Sequence, residues 1–131
     1  MIGEEVFYHL LCKECNYYQR ILEITTTEHE VLERGRPLKD VTQLMKQKKV
    51  LLACIEELDG TLKPMKKDWH KTKRTNSPFT EKILERLEEL DTLLRETLEI
   101  DEANQKLFQK KLLQLREKAN GNHRKTLNGC G

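Results

Sequence analysis

The sequence predicts an all-α fold: three long antiparallel helices in an up-down-up, coiled-coil-like bundle. Its 131 residues are 37% hydrophobic and 35% charged, with only six glycines and three prolines, a composition typical of a heavily solvated helical chain. Leucine and isoleucine recur at alternating spacings of three and four residues, which is the period of one helical face. We therefore expect a single domain over residues 1–120, with a thin core between the helices.

The first helix is expected over about residues 4–34. It ends at Gly35-Arg36-Pro37, because glycine can form a left-handed cap and proline cannot continue the preceding helix. Three consecutive threonines at 25–27 are weak helix formers, but together they cost at most about 2 kcal/mol relative to alanine, which packing can override.

The second helix is expected over about residues 40–70. Asp40 followed by Gln43 has the spacing of a capping box in front of an apolar run. Pro64 lacks the N–H that would bond the carbonyl four residues earlier, so a kink or a stop is expected there. Residues 71–77 contain no apolar side chain and are expected to form a linker.

The third helix is expected over about residues 78–119, with Ser77 as its N-cap and Pro78 at its first helical position. Forty residues of helix span about 60 Å, which makes this helix the longest of the three. Its C-terminal end is therefore expected to project and to expose an apolar stripe. The helix is expected to stop at Asn120-Gly121-Asn122, and residues 121–131 are expected to form a short flexible tail.

Asn104 occupies the centre of the apolar face of the third helix, where a leucine would be expected. In coiled coils a buried asparagine specifies register at a cost in stability. This structural role alone leaves the function of the chain open.

Neither a catalytic site nor a cofactor or metal site is predicted. Cys12 and Cys15 form a Cys-x-x-Cys pair, but Cys54 and Cys130 offer no second pair at zinc-ligand spacing. We expect structural thiols, with a metal or redox role as the alternative. The histidines lie on polar faces or in tails, and the chain has no glycine-rich phosphate loop and no nucleophile elbow. An enzyme is therefore not expected.

Charge and hydropathy favour a cytoplasmic protein with no nucleic acid partner and no membrane insertion. The net charge is only +2, which gives no general reason to bind either. Residues 63–74 contain six bases and Trp69, and a polar linker is favoured there over a surface for single-stranded nucleic acid. No secretory signal is evident at the start. The apolar run 50–55 is far shorter than the roughly 20 residues needed to span a bilayer.

The stretch EHEVLERGRPLKDVTQLMKQKKVLLACIEEL, which begins at Glu28, resembles the FlgN family of flagellar export chaperones. The third helix adds an asparagine before a leucine-rich end, and the closing LNGCG is similar to a family tail in which Cys130 stands in place of tyrosine. The Cys-x-x-Cys pair is not part of the family pattern. The matching residues are Glu30, Leu32, Asp40, Leu44, Lys48, Leu51, Leu52, Asn104, Gln105, Leu107 and Leu112.

The resemblance implies a cytoplasmic chaperone that binds the C-terminal helical region of hook-associated (hook-filament junction) proteins. It would prevent their premature assembly and deliver them to export-gate components of the flagellar type III apparatus. An amphipathic client helix would lie against the third helix by helix-in-groove recognition. Asn104 would then set the register of the client helix through polar contacts, with a purely intramolecular role as the alternative. The expected client-binding residues are Asn104, Leu107, Phe108, Lys111, Leu112 and Leu115.

A structural or regulatory coiled-coil adaptor is the alternative function. Such a protein would self-associate through the same apolar stripe, and a homodimer is possible in either case. A chaperone differs from an adaptor because it has to keep the stripe accessible to its client.

Overall fold

The structure, a computed structural model, describes the backbone of residues 2–72 and 77–129 and the side chains of residues 3–72 and 77–121. It contains three helices: α1 (Ile2–Glu33), α2 (Leu38–Thr72) and α3 (Thr80–Gly129). The predicted all-α fold with a longest third helix is confirmed.

Helix α1 continues through its three threonines because each hydroxyl bonds within the helix. Thr25, Thr26 and Thr27 donate to the carbonyls of the residues four positions earlier, at 2.7, 2.9 and 3.0 Å. The hydroxyls are thereby satisfied without leaving the helical conformation. Thr25 is completely buried, so its internal hydrogen bond also removes the cost of an unpaired polar group.

The turn between α1 and α2 forms around Gly35, as predicted. Gly35 has φ of +68°, and its N–H donates to Leu32 O at 3.3 Å. The next N–H, of Arg36, donates to Val31 O at 3.2 Å. These two bonds form a Schellman motif, which satisfies the carbonyls at the end of α1.

The start of α2 differs from the prediction by two residues. The helix begins at Leu38, directly after Pro37, because the fixed φ of proline suits a helix N-terminus. Asp40 is therefore a residue of the first turn and not the N-cap. Its carboxylate pairs with Arg36 at 3.4 Å, and its negative charge is favourable at this end of the helix dipole.

A stop or kink was expected at Pro64, but α2 does not end there and continues to Thr72. Tertiary packing explains this continuation. Leu62 is completely buried, and Met65 and Trp69 pack beyond the proline against the cluster that contains Phe7. Burial of these large side chains offsets the roughly 3 kcal/mol cost of a proline in a helix.

Ser77 accepts the capping hydrogen bond as predicted, but the helix begins at Thr80, two residues after the predicted start at Pro78. Ser77 Oγ accepts from the N–H of Phe79 at 3.2 Å, while Thr80 Oγ1 accepts from the N–H of Ser77 at 3.3 Å. The helical backbone extends to Gly129, ten residues beyond the predicted end, because one glycine costs only about 1 kcal/mol in a helix. The single domain and the flexible tail over 121–131 stay predictions, since side chains after residue 121 lie outside the described part.

Helix α1 lies between the other two and packs against both. One end of the bundle is a cluster of Phe7 and Leu11 of α1, Leu62 of α2 and Ile83 of α3. At the other end, Val31 and Leu32 of α1 pack with Val41 of α2 and with Leu107 and Phe108 of α3. Thus α1 and α3 run in the same direction and α2 runs opposite to them, which is the predicted up-down-up order.

Candidate functional site

The three helices occupy three corners of a four-helix arrangement. In a four-helix bundle each helix contacts two neighbours, and diagonal helices hardly touch. Here α1 packs against α2 and α3, whereas α2 and α3 approach each other closely at very few points. The corner opposite α1 is open along part of its length, and it forms a groove of about 280 Å³ between α2 and α3.

The groove has mainly apolar walls. Met45 and Leu52 of α2 are 43% and 47% exposed, and Phe108 of α3 stands opposite them on the same groove. Leu32 of α1 and Val41 of α2 are buried beneath. Exposed apolar side chains that converge on one concavity are typical of a binding groove, whereas single exposed leucines are common on any surface.

A charged cluster joins all three helices on the floor of this groove. Lys48 Nζ of α2 lies 2.8 Å from Glu28 Oε1 of α1 and 3.0 Å from Asp101 Oδ1 of α3. The Glu28 side chain is 4% exposed and that of Lys48 is 12% exposed. The cluster thus ties α2 to α3 at a level where their backbones stay apart.

Burial and pairing act in opposite directions on this cluster. Burial raises the pKa of Glu28, and its contact with Lys48 lowers it only in part. Burial would lower the pKa of Lys48, but the hydrogen bonds and charges of Glu28 and Asp101 outweigh it, so the pKa of Lys48 is raised. The ammonium is held by two carboxylates, while the buried carboxylate has only one cation.

Asn104 is 3% exposed and bonds within the bundle. Its Nδ2 donates to the carbonyl of Thr25 at 2.9 Å, which fixes the orientation of the amide. Its Oδ1 then accepts from His29 Nδ1 at 2.8 Å, and His29 Nε2 lies 3.0 Å from Glu33 Oε1. Both ends of the amide are thus used between α1 and α3, as in the register role of a buried asparagine.

The other predicted client-binding residues are divided between three environments. Leu107 packs against the cluster at the end of α1, and Phe108 both joins that cluster and borders the groove. Lys111 and Leu115 line a separate hollow against the α1–α2 turn, next to Pro37. Leu112 is exposed and lies one turn beyond Phe108 on the same side of α3.

Sequence reasoning missed the contribution of α2 to this site. The expected client-binding residues all lie on α3, and no binding role is predicted for the helical stripe of α2 that includes Met45, Lys48 and Leu52. The available signal was the width of that stripe. Val41, Met45 and Leu52 repeat at intervals of four and seven residues, and they form a second edge beside the buried row of Leu51 and Ile55.

Among the described cysteines, Cys15 has the environment of a structural thiol. Cys15 is buried against Leu90 and Leu93 of α3, and its Sγ donates a weak hydrogen bond to Arg86 O at 3.4 Å. Burial raises the pKa of its thiol to about 11, which disfavours the thiolate that redox and metal chemistry require. Cys12, Cys15 and Cys54 are free thiols. Residues 3–72 and 77–121 contain no group of three potential ligands for a metal ion.

The basic segment at the end of α2 has its aromatic side chain half-buried against the bundle. Trp69 packs beside Phe7 with their ring centroids 6.3 Å apart, so its ring does not form an exposed platform for base stacking. One lysine of the segment, Lys66, pairs with the buried Glu14 at 2.8 Å. Across the described part of the chain, no helix has the length and apolarity of a membrane span.

Comparison with known proteins supplies the family. A family model described as FlgN protein matches residues 1–125, which is nearly the whole chain, and it confirms the resemblance seen in the sequence. No curated protein and no solved structure shows a significant match. The family is cytoplasmic and non-enzymatic. The chain belongs to the FlgN family and is a flagellar export chaperone for hook-associated proteins.

Proposed function

We propose that the C-terminal helical region of a hook-associated protein binds in the groove between α2 and α3 as a fourth helix. The observation that carries this proposal is the open corner opposite α1, where the contact pattern leaves room for one more helix. An amphipathic helix is the natural occupant, because its apolar face can cover a groove whose two walls are themselves helices. A client held in this way could not use the same face to assemble early.

The anchoring contacts would come from both walls. Met45 and Leu52 on α2 face the groove with much of their surface in water, and the half-buried Phe108 borders it on α3. Leu112 continues the α3 wall by one turn. Each large apolar side chain that passes from exposed to buried contributes up to about 1.5–3 kcal/mol, less for one already half-buried.

The remaining predicted residues have supporting roles in this proposal. Lys111 and Leu115, beside the α1–α2 turn, would contact the end of a client helix that extends past Phe108. Asn104 and Leu107 are engaged within the bundle and hold the α3 wall in place. The client surface therefore centres on the groove and extends to the stripe at the end of α3.

Delivery to export-gate components is part of the proposal. Residues 112–120 of α3 are all exposed, and Leu113, which is not among the expected client-binding residues, is 56% exposed. A second protein could contact Leu113 and the exposed residues after Leu115 while the client occupies the groove. A bound client and a docked gate component would then be compatible.

Titration with a fluorescein-labelled peptide, the C-terminal helical segment of a hook-associated protein from the same host, tests the groove directly. The test variant is the double change Met45→Ser, Leu52→Ser on the α2 wall. Val50→Ser is the matched control, because Val50 is on the same helix and 65% exposed but does not line the groove. We expect the test variant to weaken binding about 30-fold or more, the effect of losing about 2 kcal/mol of anchoring contacts.

Wild-type affinity in the Met45, Leu52 variant would overturn the groove as the client site. A companion variant, Leu112→Ser with Leu115→Ser, measures the stripe at the end of α3. Loss of binding in this companion alone would place the client on the stripe. Sedimentation of the free chaperone tests self-association, and a tight homodimer whose dissociation is required for peptide binding would contradict an open groove.

A further inference from the structure

We infer that the client helix carries a basic side chain, lysine or arginine, in the middle of its apolar face, and that this side chain pairs with Asp101 on the groove floor, at the carboxylate oxygen that Lys48 does not bind. This inference rests on the proposed function, because it names the chemistry of the helix that the groove receives. It begins from an imbalance of charge: the floor cluster contains two carboxylates and one ammonium.

Asp101 retains acceptor capacity that the described part of the bundle does not use. Glu28 Oε1 is buried and already lies 2.8 Å from the ammonium of Lys48. Asp101 Oδ1 accepts from Lys48, while no side chain in the described residues pairs with its second oxygen. What the floor lacks is a hydrogen-bond donor, and lysine and arginine supply charged donors.

The position of these groups favours a side chain that arrives from the client. Glu28, Lys48 and Asp101 all line the groove, and the Asp101 side chain is 34% exposed, so it can be reached through the mouth. The methylene groups of a lysine or arginine could lie along Met45 and Phe108 while the charged head reaches the floor. The apolar walls and the acidic floor thus suit the two parts of one long basic residue.

The other polar side chains that line the groove do not remove its preference for a basic residue. Lys49 lines the rim of α2, but it is exposed and forms no ion pair in the described residues, so its ammonium stays hydrated. Gln105 and Gln109 on the α3 rim are neutral and exposed. The excess of negative charge is therefore local to the floor, at the depth where water is displaced when a helix binds.

An uninterrupted apolar helix would be disfavoured by the same feature. Covering the groove with leucine alone would dehydrate the partly exposed Asp101 without giving it a new donor. This unfavourable dehydration weakens the binding of helices that lack a basic residue, whereas the intended client avoids it. The floor cluster would thereby distinguish the intended client from other amphipathic helices in the cell.

A double-mutant cycle with the client peptide tests this inference. Each basic residue on the apolar face of the C-terminal segment is replaced by methionine, and each peptide is titrated against wild type and Asp101→Asn. Wild type should lose about 10-fold in affinity for one of the methionine peptides, the scale of a close charge pair. The Asp101→Asn variant should no longer prefer the basic peptide, and it should bind that methionine peptide more tightly than wild type does.

Glu102→Gln is the matched control, because Glu102 is the next residue of α3, is exposed and does not line the groove. It should leave the discrimination between the peptides unchanged. Equal affinity of Asp101→Asn and wild type for every peptide would overturn the inference, as would a client segment with no basic residue on its apolar face. The proposed function fails separately, when the Met45, Leu52 variant binds like wild type.

Discussion

Asn104 of α3 donates a hydrogen bond of 2.9 Å to the main-chain carbonyl of Thr25 in α1, and it accepts one of 2.8 Å from His29 on the next turn. The two helices run in parallel, and these bonds can form at one register only. The amide at the centre of an apolar face thus specifies how α1 and α3 align, as asparagine does in coiled coils. The alignment also determines the position of Phe108 along the groove.

Replacing Asn104 with alanine should lower the free energy of unfolding by about 1–3 kcal/mol, because it removes two buried hydrogen bonds and leaves His29 Nδ1 unpaired. Urea unfolding followed by circular dichroism measures this change. Gln105→Ala, at the exposed neighbouring position, should stay within about 0.5 kcal/mol of wild type. Equal stability of the two variants would contradict a register role for Asn104.

Gly35 and Gly60 should respond in opposite directions to substitution by alanine. Gly35 has φ of +68°, where an L side chain costs about 1–2 kcal/mol. Gly60 is inside α2 and has open space around an added Cβ, so alanine there should stabilise by about 0.5–1 kcal/mol. Thermal unfolding of the two variants measures both changes, and destabilisation of the same size at Gly60 would disprove the difference in backbone conformation.

Cys15 should be the slowest of the three described thiols to react with a maleimide at neutral pH. A rise in pKa from 9.0 to about 11 reduces the thiolate fraction about 100-fold, and burial adds a steric barrier. Peptide mapping by mass spectrometry after timed labelling separates Cys15 from Cys12 and Cys54. Labelling in urea should abolish the difference. Rapid labelling of native Cys15 would instead indicate an activated cysteine.

The number, order and direction of the helices could be predicted because they depend on local signals. Leucine spacing identifies a helical face, and Gly35, Pro37 and Ser77 mark two of the helix ends. The boundaries were less accurate at Asp40 and beyond residue 119. Both boundaries were predicted from a polar residue or a glycine. Such a residue costs little free energy inside a helix, and the neighbouring residues favour a longer helix.

The candidate site was only partly predictable, because periodicity identifies apolar residues but not which of them a neighbouring helix covers. Phe108 was predicted and borders the groove. Met45 and Leu52 have the same sequence signature as the buried Leu51, and they remain exposed since α3 does not pack closely against α2. The ion pairs of Lys48 could not be predicted, because its two carboxylate partners lie on other helices.

Removing the ammonium from the groove floor should make stability depend more strongly on pH. Lys48→Met leaves Glu28 buried without its cation, which costs about 3–5 kcal/mol near neutral pH. Burial already raises the pKa of Glu28, and loss of Lys48 removes the contact that lowers it. The folded state then binds a proton at a higher pH than the unfolded chain does. Stability of the variant should therefore fall as pH rises from about 5 to about 7.

The double variant Glu28→Gln, Lys48→Met provides the control for this prediction. It has no buried carboxylate at position 28, so it should recover much of the lost stability at about pH 7 and lose the added pH dependence. Urea midpoints at the two pH values, measured for wild type and both variants, give the comparison. If Lys48→Met unfolds at the same urea concentration at both pH values, Glu28 is not the group whose proton uptake governs its stability.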